Sequence, residues 1–182
     1  MIETDQTKMI ERFKNNATRA AAFSELVKAT HEKIYWHIRR IVLNHEDAND
    51  VLQNTFLKAW NGLDSFRGDS QISTWLYRIA TNESLTFLAN ERMKNITSPL
   101  DAEDVLVRKM ESDAYFCGDE AQKKLQDAII TLPEKQRIVF NLRYFNEMNY
   151  EQMSDVLNTS VGALKASYHY AVKKIELFLK EN

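Results

Sequence analysis

The chain reads as an all-α protein of two small helical domains joined by an acidic linker, and three observations predict this. Only four Gly and two Pro occur in 182 residues, which leaves little turn chemistry for a sheet. Apolar residues recur at steps of three and four, with no strand-like alternation. Near the carboxy terminus a short helical pattern, a three-residue break and a longer helical pattern follow one another, the sequence shape of a helix-turn-helix. The apolar content of 44% suffices for the cores of one or two domains.

Taken in order, the first strong element spans Ala20 to Leu43, where Phe23, Leu26, Val27, Ile34, Ile38, Ile41 and Val42 fall at helical spacing. It predicts a long core helix. After a break at Asn44 and His45, the run EDANDVLQNTFLKAWNGL turns Ala48, Val51, Leu52, Thr55 and Ala59 inward and places Asp47, Asp50 and Asn54 outside. Acids near a helix start are already explained by the macrodipole. A loop from Asp64 to Gln71 leads into the helix ISTWLYRIATNESLTFLANERMK, whose inner residues include Ile72, Leu76, Ile79 and Phe87. Phe66 in the loop, with Trp75, Tyr77 and Arg78 just beyond it, suits stacking on unpaired bases. Ser70, Gln71 and Asn82 suit the reading of base edges. A Trp at helical spacing is nevertheless more often core than platform, and Trp75 is read as structural.

Between Thr97 and Glu120 seven acids meet two bases, a charge of −5 in a chain of net −2, so the remainder carries +3. With Pro99 and Gly118 the segment reads as a linker, with a short helix around Val105 to Met110. It is either a solvated spacer or an acidic decoy for a basic nucleic-acid channel in a partner. The predicted organisation is a domain over 1–95, the linker over 96–120 and a domain over 121–182.

In the last domain Pro133 opens a helix carrying Ile138, Val139, Leu142 and Phe145, at a position where a missing amide costs nothing. A second helix runs from Tyr150 to Leu157. Asn158, which tolerates a left-handed turn, Thr159 and the N-cap Ser160 then break the chain. The final helix buries Val161, Leu164, Tyr168, Val172, Ile175 and Leu179, leaving Gly162, Lys165, Ala166, His169 and Lys173 outward. That small and basic face suits a close approach to a DNA groove. Its charge of +2 is one that a solvated helix could also carry.

Other classes find less support. No apolar run approaches a membrane span, and the start MIETDQTKMIERF lacks a signal peptide's apolar stretch, so a cytoplasmic protein without membrane insertion is expected. The one Cys, Cys117, forms no internal disulfide and receives no role. His31, His37, His45 and His169 show no metal-ligand spacing, and no Gly-rich phosphate loop is present, so neither catalysis nor a metal or other cofactor is expected. A free-standing helix-turn-helix regulator leaves the amino-terminal motifs unexplained. An adaptor that binds only protein leaves the basic face unexplained.

Taken together, DANDVLQNTFLKAW (47–60), FRGDSQISTWLYRIATN (66–82) and LPEKQRIVFNLRYF with NYEQMSDVLNTSVGALK (132–145 and 149–165) resemble the extracytoplasmic-function sigma factors of the sigma-70 family. The resemblance covers about 17–93 and 121–179. It implies a non-enzymatic subunit that binds core RNA polymerase, through the beta-prime clamp helices and the beta flap, and brings it to promoter DNA. By that resemblance Asp47, Asp50 and Gln53 dock on the clamp helices, while Asn54 departs from the Glu that many relatives carry. Phe66, Arg67, Ser70, Gln71, Trp75, Arg78 and Asn82 lie where relatives capture a base of the minus-ten element. Ser160, Gly162, Lys165, Ala166, His169, Tyr170 and Lys173 lie where the minus-thirty-five element is read, with Arg143 in support. Ser167, Tyr170 and Val172 stand where many relatives have Arg, so an altered preference and a shallower salt dependence are expected of the isolated domain. A salt titration with the slope of an arginine-rich relative would count against this. The linker then threads toward the polymerase's active centre, and an anti-sigma factor is a further partner many relatives have.

Overall fold

The structure, a computed structural model, describes residues 2–94 and 120–181. Within them lie eight α-helices and one 3-10 turn, without strands. The helices are α1 (Ile2–Lys14), α2 (Asn16–Val42), α3 (His45–Gly62), α4 (Ile72–Lys94), α5 (Glu120–Ile130), α6 (Glu134–Tyr144), α7 (Tyr150–Leu157) and α8 (Val161–Glu181). The predicted linker helix around Val105 to Met110 lies outside the described residues, as does Cys117.

Helix ends follow from local chemistry. Asn15 caps α2 by accepting from the Ala17 amide, and Leu43 ends it in the left-handed region with φ 64°. Asn44 then caps α3 through the Asp47 amide. The break therefore falls at Leu43 and Asn44, and His45 already belongs to α3. Pro133 sits at the N-cap of α6, where no amide is required. At the start of α7, Asn149 and Gln152 form a reciprocal capping box. Asn158 closes that helix at φ 49°, and Ser160 Oγ accepts from Ala163 at 3.4 Å to start α8.

Helices α1 to α4 form the amino-terminal domain. Ile34, Ile38, Ile41, Val51, Leu52 and Leu76 are buried at its centre, and Phe13, Leu26 and Leu63 make a second cluster under α1. The predicted inner stripe of α3 is buried at every position. The carboxy-terminal domain closes α5, α6 and α8 around Ala128, Ile129, Leu132, Phe140, Ala171 and Ile175. At the end of α8 it is Phe178 that packs on this cluster, while Leu179 is 41% exposed, contrary to the predicted stripe. From Ile175 the buried face continues by a step of three to Phe178.

The two domains also pack on one another. Ile138, Leu142, Met148, Met153 and Leu164 share a continuous buried cluster with Ile34, Ile38 and Leu76. This changes the inner face of α4: Tyr77, Ala80, Thr81, Ser84 and Leu88 are buried, whereas Ile72, Ile79 and Phe87 are only partly so. A helix lying between two domains is covered on more than one side, which a single-stripe reading misses. Buried at the seam is His37, pushed down to about 4 by desolvation, with the Asn146 hydrogen bond opposing and the Arg40 charge adding. Burial likewise raises the Tyr77 phenol and lowers Arg40.

Candidate nucleic-acid interface

Three surfaces gather the candidate residues. On α3, Asp50, Gln53 and Asn54 are exposed, and Leu57 stands out at 54%. Their spacing places them on one helix face. Asp47, one turn earlier, is half-buried. Lys58 Nζ lies 2.5 Å from Glu83, tying this helix to α4.

The second surface is the loop after α3 and the start of α4. Arg67, Gln71, Arg78 and Asn82 are exposed, and the last three fall on one stripe with Trp75. Ser70 is half-buried, its carbonyl accepting from Gln6 Nε2 at 3.0 Å. Phe66, by contrast, is only 6% exposed. Its ring lies 5.0 Å from that of Trp75 at 41°. A base platform needs a free ring face, so in this arrangement Phe66 supports the loop from beneath. Trp75 does the same, as its sequence reading anticipates: a Cβ on Gly62 would come within 3.2 Å of its ring. The remaining anchor is Arg19, whose guanidinium reaches Asp64 at 2.6 Å and the Trp60 carbonyl at 3.1 Å.

Sequence reasoning missed Gly68 and its neighbour on α1. Gly68 adopts φ 83°, and a Cβ there would meet Ile10 Cδ1 at 2.8 Å. Both the left-handed backbone and the close helix demand glycine. The positive φ leaves no periodic mark in the sequence, although an isolated Gly in a loop is the available hint. Gly68→Ala should destabilise the chain by about 1–2 kcal/mol. Thermal unfolding checks this, and an unchanged midpoint would show that the loop relaxes freely.

The third surface is the outer face of α7 and α8. Ser160, Gly162, Lys165, Ala166, His169, Tyr170 and Lys173 are all exposed, Tyr170 at 57%. Arg143 is half-buried and donates to the Met148 carbonyl at 2.8 Å. Its guanidinium lies 5.3 Å from the centre of the Tyr150 ring, and Lys165 Nζ lies 5.6 Å from the same ring. Tyr150 thus gathers two cations beside the capped start of α7. It too escaped the sequence reading, because a first-turn Tyr looks like ordinary packing. Cations gathered at a helix start suit phosphate oxygens.

Among the described residues no group of three His, Cys, Asp or Glu could hold a metal, and no helix is long and apolar enough to cross a membrane. Two helical domains, the second ending in a helix-turn-helix with a basic outer face, define a DNA-reading transcription protein.

Comparison with known proteins makes this specific. Residues 26–93 match the model for sigma-70 region 2, and residues 122–175 match that for sigma-70 region 4. The RNA polymerase sigma-H factor of Pseudomonas aeruginosa is 33% identical, over 98% of this chain and 95% of its own length. The ECF sigma factor SigW of Bacillus subtilis is 32% identical, over 81% and 83%. Among solved structures, CnrH in complex with the cytosolic domain of CnrY superposes with a TM-score of 0.70 at 22% identity, covering 98% of each chain. RpoE of Bartonella quintana, in complex with the anti-sigma factor NepR, gives 0.68 at 20% identity, covering 87% of this chain and 96% of the other. The chain belongs to the extracytoplasmic-function group of the sigma-70 family, alternative sigma factors that direct RNA polymerase in transcription initiation.

Proposed function

We propose that the three surfaces divide the work of initiation. The α3 face of Asp47, Asp50, Gln53 and Asn54 docks on the clamp helices of core polymerase. The loop and first turns of α4, with Arg67, Ser70, Gln71, Arg78 and Asn82, hold a base of the minus-ten element out of the stack. Phe66 and Trp75 support that site from below. Holding the base offsets an unstacking cost of a few kcal/mol, so melting is driven by binding rather than by bond chemistry. The face of α8 enters the major groove of the minus-thirty-five element, where Lys165, Ala166, His169 and Tyr170 meet base edges. Arg143, Ser160, Gly162 and Lys173 position the phosphates. The domains so used extend over 1–95 and 121–182, with 96–120 directed toward the polymerase channel and the beta flap contacted by the second domain. The protein catalyses nothing itself, works in the cytoplasm beside polymerase, and is held in reserve by an anti-sigma factor.

One observation carries the reading: a polar, acid-bearing helix face and a basic helix-turn-helix face coexist on one chain as separate exposed surfaces. Mixing the protein with sigma-free core polymerase and scoring run-off transcription over a promoter library tests it directly. Absence of polymerase binding would end the proposal. Gly162 offers a sharper check on α8, because nothing lies within 4 Å of a Cβ built there. Gly162→Ala should raise stability by roughly 0.5–1 kcal/mol yet weaken promoter binding by the holoenzyme, since the groove then meets a methyl group. Equal promoter affinity in a gel shift would remove Gly162 from the interface.

A further inference from the structure

Helix α1 carries none of the residues assigned to a surface above, yet it packs against the loop that bears Arg67, Ser70 and Gln71. Gln6, Met9, Ile10 and Phe13 follow one another at helical spacing and share one face of α1. At the carboxy-terminal end of that face Phe13 is buried with Ala22, Leu26 and Leu63, and Met9 packs on the same cluster. The other end meets the loop. Gln6 Nε2 donates to the Ser70 carbonyl at 3.0 Å, and a Cβ on Gly68 would come within 2.8 Å of Ile10 Cδ1. Helix α1 is itself tied down on α2. Arg12 donates to both carboxylate oxygens of Glu25 at 2.7 and 2.8 Å, and the Thr18 hydroxyl donates to the Arg12 carbonyl at 2.9 Å.

We propose that α1 is a brace that sets the base-holding loop in its capture conformation, with Gln6 and Ile10 as positioning residues that touch the loop's backbone and not the DNA. The inference rests on the functional reading of that loop given above. The ends of the loop are fixed from within, since the Phe66 amide donates to the Leu63 carbonyl at 3.2 Å and the Trp75 amide to the Gln71 carbonyl at 3.0 Å. Between those ends the contacts from α1 fall on Gly68 and Ser70, on either side of Asp69. A trans peptide unit is planar, so turning the Ser70 carbonyl toward Gln6 turns the Gln71 N–H the opposite way and fixes where the exposed Gln71 side chain starts. Ile10 seats the left-handed turn at Gly68, next to the exposed Arg67.

A loop whose backbone is already fixed loses less conformational entropy when a base is bound, so more of the contact energy remains to offset unstacking. Without the two contacts from α1, the base itself would have to order the loop. The effect should fall on base capture and leave polymerase docking alone, because α1 packs mainly on α2 and on the 3-10 turn Leu63–Ser65.

Holoenzyme assembled from the full chain and sigma-free core polymerase tests the brace. The probe is a single-stranded oligonucleotide carrying the minus-ten element of a promoter taken from the run-off library. Abasic substitutions along that strand locate the captured base for the wild type, as the position where affinity falls most. Gln6→Glu keeps the length of the side chain but sets an acceptor against the Ser70 carbonyl. In that variant the ratio of intact to abasic affinity should shrink about three- to tenfold, with core binding unchanged. Gln6→Lys, which keeps a donor, should restore most of the ratio. A merely structural role would lower both affinities alike and leave their ratio where it was. Should Gln6→Glu lose helix by circular dichroism, Ile10→Val, which removes only the methyl that meets Gly68, should shrink the same ratio. An unchanged ratio in a folded Gln6→Glu, or in Ile10→Val where that variant stands in for it, overturns the brace. A wild type indifferent to every abasic position shows that the loop holds no base, and the functional reading falls together with the brace. Failure of the brace alone leaves one position sensitive, so the two failures are distinguishable.

Discussion

Acidification should cost the folded chain about 3 kcal/mol through a single imidazole. His37 is fully buried and protonates at about 4 in the native state, against an ordinary value of 6.5. As pH falls, the unfolded chain binds the proton first, so the native state loses ground. The contribution is complete above about pH 6.5, declines as pH falls through that value, and is exhausted near 4. Desolvation is the main cause, because a cation there would be cut off from water beside the Tyr77 ring and would also meet the Arg40 charge. Urea titrations at pH 7, 5.5 and 4.5 should show the stability falling, and His37→Gln should flatten that slope. The depressed carboxyl of Glu25, held down chiefly by its hydrogen bond from Arg12, loses its contribution only as pH falls toward and below 4.5, so the fall between pH 7 and 5.5 carries the His37 signal. A slope that persists unchanged in His37→Gln would assign the effect elsewhere.

Asp50→Arg should reduce binding to core polymerase at least tenfold while leaving the thermal midpoint within a degree or two. The residue is exposed on α3, and surface substitutions away from packing usually cost less than about 0.5 kcal/mol. Reversing the charge against a complementary surface removes attraction and adds repulsion, a loss of several kcal/mol at a docked interface. Lys165→Ala supplies the converse. It should leave polymerase binding intact and weaken promoter binding by the holoenzyme, because it removes one of the two cations gathered at Tyr150. Titration of labelled core polymerase with each variant separates the two effects. Equal core affinity for Asp50→Arg would take α3 out of the docking surface.

The elements legible in the sequence were those whose signals are local. The helix-turn-helix ran from Tyr150 to Leu157 and onward from Val161 as spacing and caps indicated, and Asn158 took the left-handed turn expected of it. The inner stripe of α3 was equally clear, since one face of that helix meets one body of core. Signals failed where burial comes from a distance. Asn146 lies 109 residues from His37, and no period links them, so their contact left no mark in the pattern. The inner face of α4 was misjudged for the same reason. Phe66 was assigned to a base-holding surface because a Gly-containing loop exposes most of its residues, yet Trp75 and the turn before it draw its ring inward. Gly68 needed the position of Ile10 before its role could be read. The division of labour among the exposed residues remains a matter of chemistry on three surfaces, which spacing alone locates and experiment must rank.

The seam has a consequence in time as well as in space. Leu88 is buried on α4, and Met153 of the domain that packs on this helix lies 65 residues later in the chain. At ordinary rates of synthesis, about 5–20 residues per second, roughly 3–13 s pass between the making of the two. For that interval the newborn amino-terminal domain shows an apolar helix face to every binder in its surroundings. Whatever reaches α4 first, the chain's own second domain or a competitor, meets the same unpartnered surface.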